Sequence, residues 1–200
     1  MTVFLKKTER VLWLVFLFSL LFSFNSPRVG CCVLVAILIH ELGHSLTLTL
    51  LGKGTRGIFI RSFGARMHYS GMLSYREELL VCLGGPISNL LVALLSLLLL
   101  PLGRDYFLLF CTVNLFYFLS NLFPIPSYDG EKILRILLSY PCGADTAERV
   151  VHAIGFFLRA ALLFLSLYLI FYFDIAYPVF VCIFASFIPD FTHSSFSDKV

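Results

Sequence analysis

The sequence predicts an all-α polytopic membrane protein of about six transmembrane helices, with a short cytoplasmic β-hairpin between the second and third. Three observations carry that prediction. The 200 residues are 59% hydrophobic and only 14% charged, whereas an ordinary soluble domain is about a quarter charged. The apolar residues are gathered in blocks near the roughly 20-residue length of a helical span. Basic residues are concentrated in alternate loops, as expected of a chain that crosses the bilayer repeatedly.

The first block, residues 11–24, follows Lys6, Lys7 and Arg10. No small-residue cleavage site follows it, the chain continuing Asn25-Ser26-Pro27-Arg28, so it is expected to be a retained span rather than a removed signal. The second block, 29–51, contains His40-Glu41-Leu42-Gly43-His44. The third runs over 79–100 and meets Pro101 and Gly103; the fourth runs over 106–123 and stops at Pro124. A helix over 130–140 is too short to span. The fifth and sixth blocks are 150–173 and 177–188, the last short and aromatic.

Orientation follows from the short loops. Lys6, Lys7 and Arg10 precede the first span; Lys53, Arg56, Arg61, Arg66 and Arg76 separate the second and third; Lys132, Arg135 and Arg149 separate the fourth and fifth. The opposite loops before the fifth span carry only Arg28 and Arg104. Both termini are therefore expected in the cytoplasm. Between spans two and three, 58–62 and 65–69 are rich in β-branched and aromatic residues and flank Phe63-Gly64, the pattern of a hairpin. The whole chain, 1–200, reads as one integral domain.

The net charge of +3 is small and dispersed, which argues against nucleic acid as a partner and leaves the lipid bilayer as the surrounding medium. Six cysteines without C-x-x-C spacing read as reduced packing residues, not as ligands or disulfides. His68, His152 and His193 lack paired spacing and read as surface or interfacial residues, and Glu77 and Glu78 as a solvated helix start.

The chemistry is expected in the second span. His40 and His44 are four apart and project from one helix face, a spacing that lets two imidazoles hold one zinc ion with Glu41 beside it as general base. A glutamate and two histidines inside an apolar span are costly unless paired, metal-bound or facing a wet cavity. A catalytic zinc ordinarily takes three protein ligands. The third is sought at the end of the fourth span, in Asn121-Leu122-Phe123-Pro124-Ile125-Pro126-Ser127-Tyr128-Asp129-Gly130, where two prolines hold the backbone extended. His44 lies roughly 10 Å from the inner end of its span and Asn121 roughly 22 Å from the outer end of its own, so both fall in the inner half of a core about 30 Å thick. Asp129 can then fold back beside the histidines; capping the following helix at the surface is the other role open to it.

These two motifs together resemble the site-2 protease family of intramembrane metalloproteases, over a core of about residues 29–138. The resemblance implies zinc held by His40, His44 and Asp129, Glu41 as catalytic base, and Asn121 near the metal, holding substrate backbone or a developing oxyanion. Gly84-Gly85-Pro86-Ile87-Ser88-Asn89 resembles the family's signature in the third span, with Asn89 expected to serve as interhelical glue. The sequence departs from the family in Glu131, where many members have a second glycine, and in the absence of PDZ and CBS domains. Its compact layout is most like the sporulation-type branch. The implied function is a zinc-dependent endopeptidase acting on a single-span or membrane-tethered protein, such as a sigma-factor precursor or anti-sigma factor; a membrane regulatory partner or a homo-oligomer would be compatible with it. The alternatives are a non-catalytic membrane scaffold that keeps the fold, and a zinc transporter. The first would be expected to lose one of the four key residues, and the second to spread its polar groups over several spans.

Overall fold

The computed structural model describes residues 27–53, 55–61, 64–69, 73–126 and 128–173, with backbone alone for the two short segments. The expected first and sixth spans, Cys182 and His193 lie outside the described residues. The elements in chain order are α1 (Pro27–Leu50), β1 (Thr55–Arg61), β2 (Gly64–Tyr69), α2 (Tyr75–Leu98), α3 (Arg104–Asn121), α4 (Asp129–Cys142) and α5 (Ala144–Phe173), with a 3-10 turn at Leu100–Leu102.

Each helix begins and ends for a local reason. Pro27, which has no N–H to lose, opens α1. Ser74 and Glu77 form a reciprocal capping box at the start of α2, so the expected solvated helix start at Glu77 and Glu78 is a capped one. Helix α3 stops at Asn121, two residues short of the apolar block, because Pro124 cannot donate to the turn before it. Helix α4 begins at Asp129 and passes through Pro141 to Cys142. The sequence reading ended it one residue before that proline, but Gly143 terminates it, at φ +79°.

The distribution of polarity is inverted relative to a soluble domain. Leu38, Leu42, Leu46 and Leu50 form an exposed stripe along α1, while His40, Asn89, Asn114, Asn121 and Asp129 are buried. Such a molecule is solvated by lipid on the outside and satisfies its polar groups within. Helices α1, α2 and α5 are each long and apolar enough to cross a membrane. Helix α3 is less apolar because it opens with Arg104 and Asp105 and carries Asn114 and Asn121, both buried.

Helix α2 packs against both α1 and α3. The α1–α2 crossing is close because Gly43 and Gly84 meet backbone to backbone: a Cβ at Gly84 would stand 2.9 Å from the Gly43 carbonyl oxygen. β1 and β2 pair antiparallel with Ile58 opposite Met67 and Arg61 opposite Gly64; the turn between them lies outside the described residues. Cys82 and Cys111 are buried as expected of packing residues, whereas Cys31 and Cys142 are exposed, and all the described cysteines are free. His152 is exposed, as the sequence suggested.

Candidate metal centre

The histidine pair of α1 and the aspartate that opens α4 meet at a single point. His40 Nε2 is 2.9 Å from Asp129 Oδ2, His44 Nε2 is 3.0 Å from the same oxygen, and the two imidazole nitrogens are 3.1 Å apart. Of the two roles open to Asp129, surface cap or partner of the histidines, the structure shows the second: its side chain is only 5% exposed. Local backbone explains how it gets there. The backbone of Leu122 and Phe123 stands so close to the start of α4 that a Cβ at Gly130 would collide with the Leu122 carbonyl. Only glycine fits, and the first turn of α4 is thereby brought in beside α1.

The hydrogen bonds behind the imidazoles fix which nitrogen of each carries its proton. His44 Nδ1 is 2.6 Å from the Val81 carbonyl oxygen, which can only accept. Asn89 donates one amide hydrogen to the Ala36 carbonyl and the other to Asn114 Oδ1, so its own oxygen is left to accept from His40 Nδ1 at 3.0 Å. Asn114 in turn donates to the Phe110 carbonyl. Both histidines therefore hold their Nδ1 proton outward and turn the Nε2 lone pair toward Asp129.

Three acceptors, two nitrogen lone pairs and a carboxylate oxygen, converge within about 3 Å, and they repel unless a cation lies among them. A proton on an imidazole can fill that role, and so can a metal ion. Ligands about 2.0–2.2 Å from one tetrahedral ion stand roughly 3.3–3.5 Å apart, so the triangle needs to open by only a few tenths of an ångström. The donor set, two imidazoles and one carboxylate with a hydrogen-bonded second layer, is one that zinc accepts. The residues fit a metal.

Gly85 makes the space for it. A Cβ there would lie 2.5 Å from His44 Nε2 and 2.7 Å from His40 Cε1. Gly85→Ala is expected to push both rings from their positions and reduce zinc retention by tenfold or more, while circular dichroism of the purified protein keeps its helical content. Zinc retention equal to wild type would show that the rings have slack at this contact.

Glu41 follows His40 and lies within electrostatic reach of His44, His40, Asp129 and Lys132. Asn121, at the end of α3, is buried and donates from its amide to the Tyr117 carbonyl at 2.9 Å. Lys132 Nζ is 3.0 Å from Asp129 Oδ1, the carboxylate oxygen turned away from the histidines. Burial alone would raise the Asp129 carboxyl; when a proton rather than a metal joins the imidazoles to it, hydrogen bonds from His40 and His44 and the charge of Lys132 hold it well below the usual carboxylate range. Burial works against the Lys132 ammonium, but the charge of Asp129 outweighs it and raises its pKa.

Four residues of consequence escaped the sequence reading. Tyr117 stands edge-on to His40 with ring centroids 5.2 Å apart, and its backbone carbonyl accepts from the Asn121 amide. Asn114 completes the hydrogen bonding of Asn89. With Asn121 these two form a 114/117/121 stripe along one face of α3, a periodicity that was present to be read. Lys132 is one turn beyond Asp129, where the sequence shows it only as a loop charge. Arg159 is 1% exposed within α5 and bonds the Gly155 carbonyl; a buried arginine inside an apolar block is a signal in its own right. Asn89, expected as glue between helices, does bridge α1 and α3, and it also orients His40.

The chain is similar to two known proteins. The chain shares its fold with a solved site-2 protease from Methanocaldococcus jannaschii, at a TM-score of 0.66 over 90% of this chain and 86% of that one, with 21% identity. In sequence it is similar to stage IV sporulation protein FB of Bacillus subtilis (strain 168), 29% identical over 124 residues. That match covers 60% of this chain and 43% of the length of the relative. No family model matches the chain. Fold and sequence agree with the site-2 protease resemblance carried by the two motifs.

Proposed function

We propose that the chain is a zinc-dependent intramembrane endopeptidase that cuts membrane-tethered protein substrates. The observation that carries the reading is the convergence of His40, His44 and Asp129 inside an apolar helical body, with both imidazoles held by Nδ1 so that their Nε2 lone pairs face the carboxylate. A glutamate adjoins that point. A scaffold would have no use for the full set, and a transporter would not gather it at one place.

Zinc held there would supply Lewis acidity toward the substrate carbonyl and the attacking water. His40, His44 and Asp129 would hold it. Glu41 takes the proton from the water and passes it to the leaving amine. The amide of Asn121 offers hydrogen bonds to the substrate backbone or to the carbonyl oxygen as charge develops on it. Backbone inside a substrate helix is shielded by its own hydrogen bonds, so the substrate must unwind first. The paired strands β1 and β2 offer an edge to receive the unwound segment by strand addition.

In this reading the chain has six spans, both termini and the hairpin in the cytoplasm, and a site in the inner half of the bilayer. The likeness to a stage IV sporulation protein favours the sporulation-type branch, with a sigma-factor precursor or an anti-sigma factor as substrate. The test is co-expression with a panel of tagged single-span proteins, sigma-factor precursors included, with wild type beside Glu41→Gln. A product formed by wild type alone supports the reading; a product formed equally by both removes Glu41 from the mechanism.

A further inference from the structure

The carboxylate of Asp129 is divided between two neighbours. Oδ2 faces the two imidazole nitrogens at 2.9 and 3.0 Å, while Oδ1 is held 3.0 Å from the ammonium of Lys132. The division is built into the helix: Asp129 and Lys132 are three residues apart on α4, and their side chains meet on one face. The aspartate side chain is 5% exposed and the lysine 38%, so the ammonium closes the outer side of a carboxylate whose inner side belongs to the site.

An aspartate can meet a metal through one oxygen or through both. Two-oxygen binding would use a position that a hydrolytic site needs for substrate or water. A lysine offers three hydrogens and a full positive charge, a partner strong enough to hold one oxygen in place. We propose that Lys132 is a positioning residue of the metal centre: it retains Asp129 Oδ1, restricts the aspartate to one-oxygen ligation through Oδ2, and so keeps a coordination position open. This rests on the metalloprotease reading and deepens it, since Lys132 acts only through Asp129.

The experiment uses the full chain, purified in detergent and loaded with cobalt(II), whose visible absorption reports coordination number and symmetry. X-ray absorption of the zinc-loaded protein adds the count of near oxygens. Lys132→Met keeps the apolar stem and the helix propensity and removes the charge; Lys132→Arg restores it. The expected result is a changed cobalt spectrum and one additional near oxygen in Lys132→Met. Lys132→Arg should match wild type in both, and activity should fall about 10–100-fold in the methionine variant alone. A spectrum and oxygen count in Lys132→Met identical to wild type would overturn the proposal. So would loss of the metal from that variant, because both histidines and Asp129 remain to bind it. Failure of wild type to bind either metal would strike instead at the metalloprotease reading.

Discussion

Glu41→Gln is expected to lower the cleavage rate by about 10²–10⁴-fold while the protein keeps the zinc content of wild type. The two halves of that expectation come from different residues. On the proposed reading zinc retention would depend on His40, His44 and Asp129, whose potential ligand atoms meet without any contribution from Glu41. The rate depends on a carboxylate able to accept a proton beside that point, and Glu41 is within electrostatic reach of all three ligands. Glutamine matches glutamate in size and can still hydrogen-bond, so helix α1 should pack unchanged, but an amide cannot act as a base at neutral pH. Metal analysis and a substrate cleavage assay on the same preparation separate the two. A variant that loses both would mean that Glu41 is needed to assemble the site.

Asp129→Ala should have the largest effect on the metal, reducing zinc affinity by more than about a hundredfold, beyond the range seen when only a supporting partner of a ligand is lost. Removing the carboxylate leaves two imidazoles to hold the ion and frees the Lys132 ammonium 3.0 Å from where Oδ1 stood, adding a positive charge that repels it. The fold should survive, because the loop before α4 is closed by the contact of Gly130 with the Leu122 backbone and α4 packs on α5 independently of the carboxylate. Competition with a zinc-chelating dye measures the affinity. A variant that binds zinc as wild type does would remove Asp129 from the ligand set.

How far this was legible in the sequence differs from one residue to the next. The spans described here followed from the lengths of the apolar blocks, because lipid demands long helices and tolerates little else. His40 and His44 could be assigned to one face by spacing alone. Asp129 could not, since a residue 85 positions from His44 reaches it only through the closure of the Asn121–Asp129 segment. The motif resemblance supplied that pairing, and the Gly130 contact explains it. Asn89 was legible as glue between helices and Asn114 as part of a polar stripe on α3, but that Asn89 donates to both Ala36 and Asn114 and so turns its oxygen to His40 has no signature in local sequence. Val81 serves His44 through a carbonyl, which no side-chain pattern announces; it lies one turn before Gly85-Pro86, where a proline loosens the helix ladder. A proline near a helix end suggests a stop before Pro141, but α4 runs through it and Gly143, two residues later, ends the helix.

The most direct test of the account is cleavage by the purified chain in liposomes that also carry a tagged single-span substrate, before and after zinc is stripped by a chelator and then restored. The account predicts that cleavage disappears with the metal and returns on addition of about one zinc per chain, with Glu41→Gln inactive throughout. Cleavage that continues at its original rate in the fully stripped protein would contradict it.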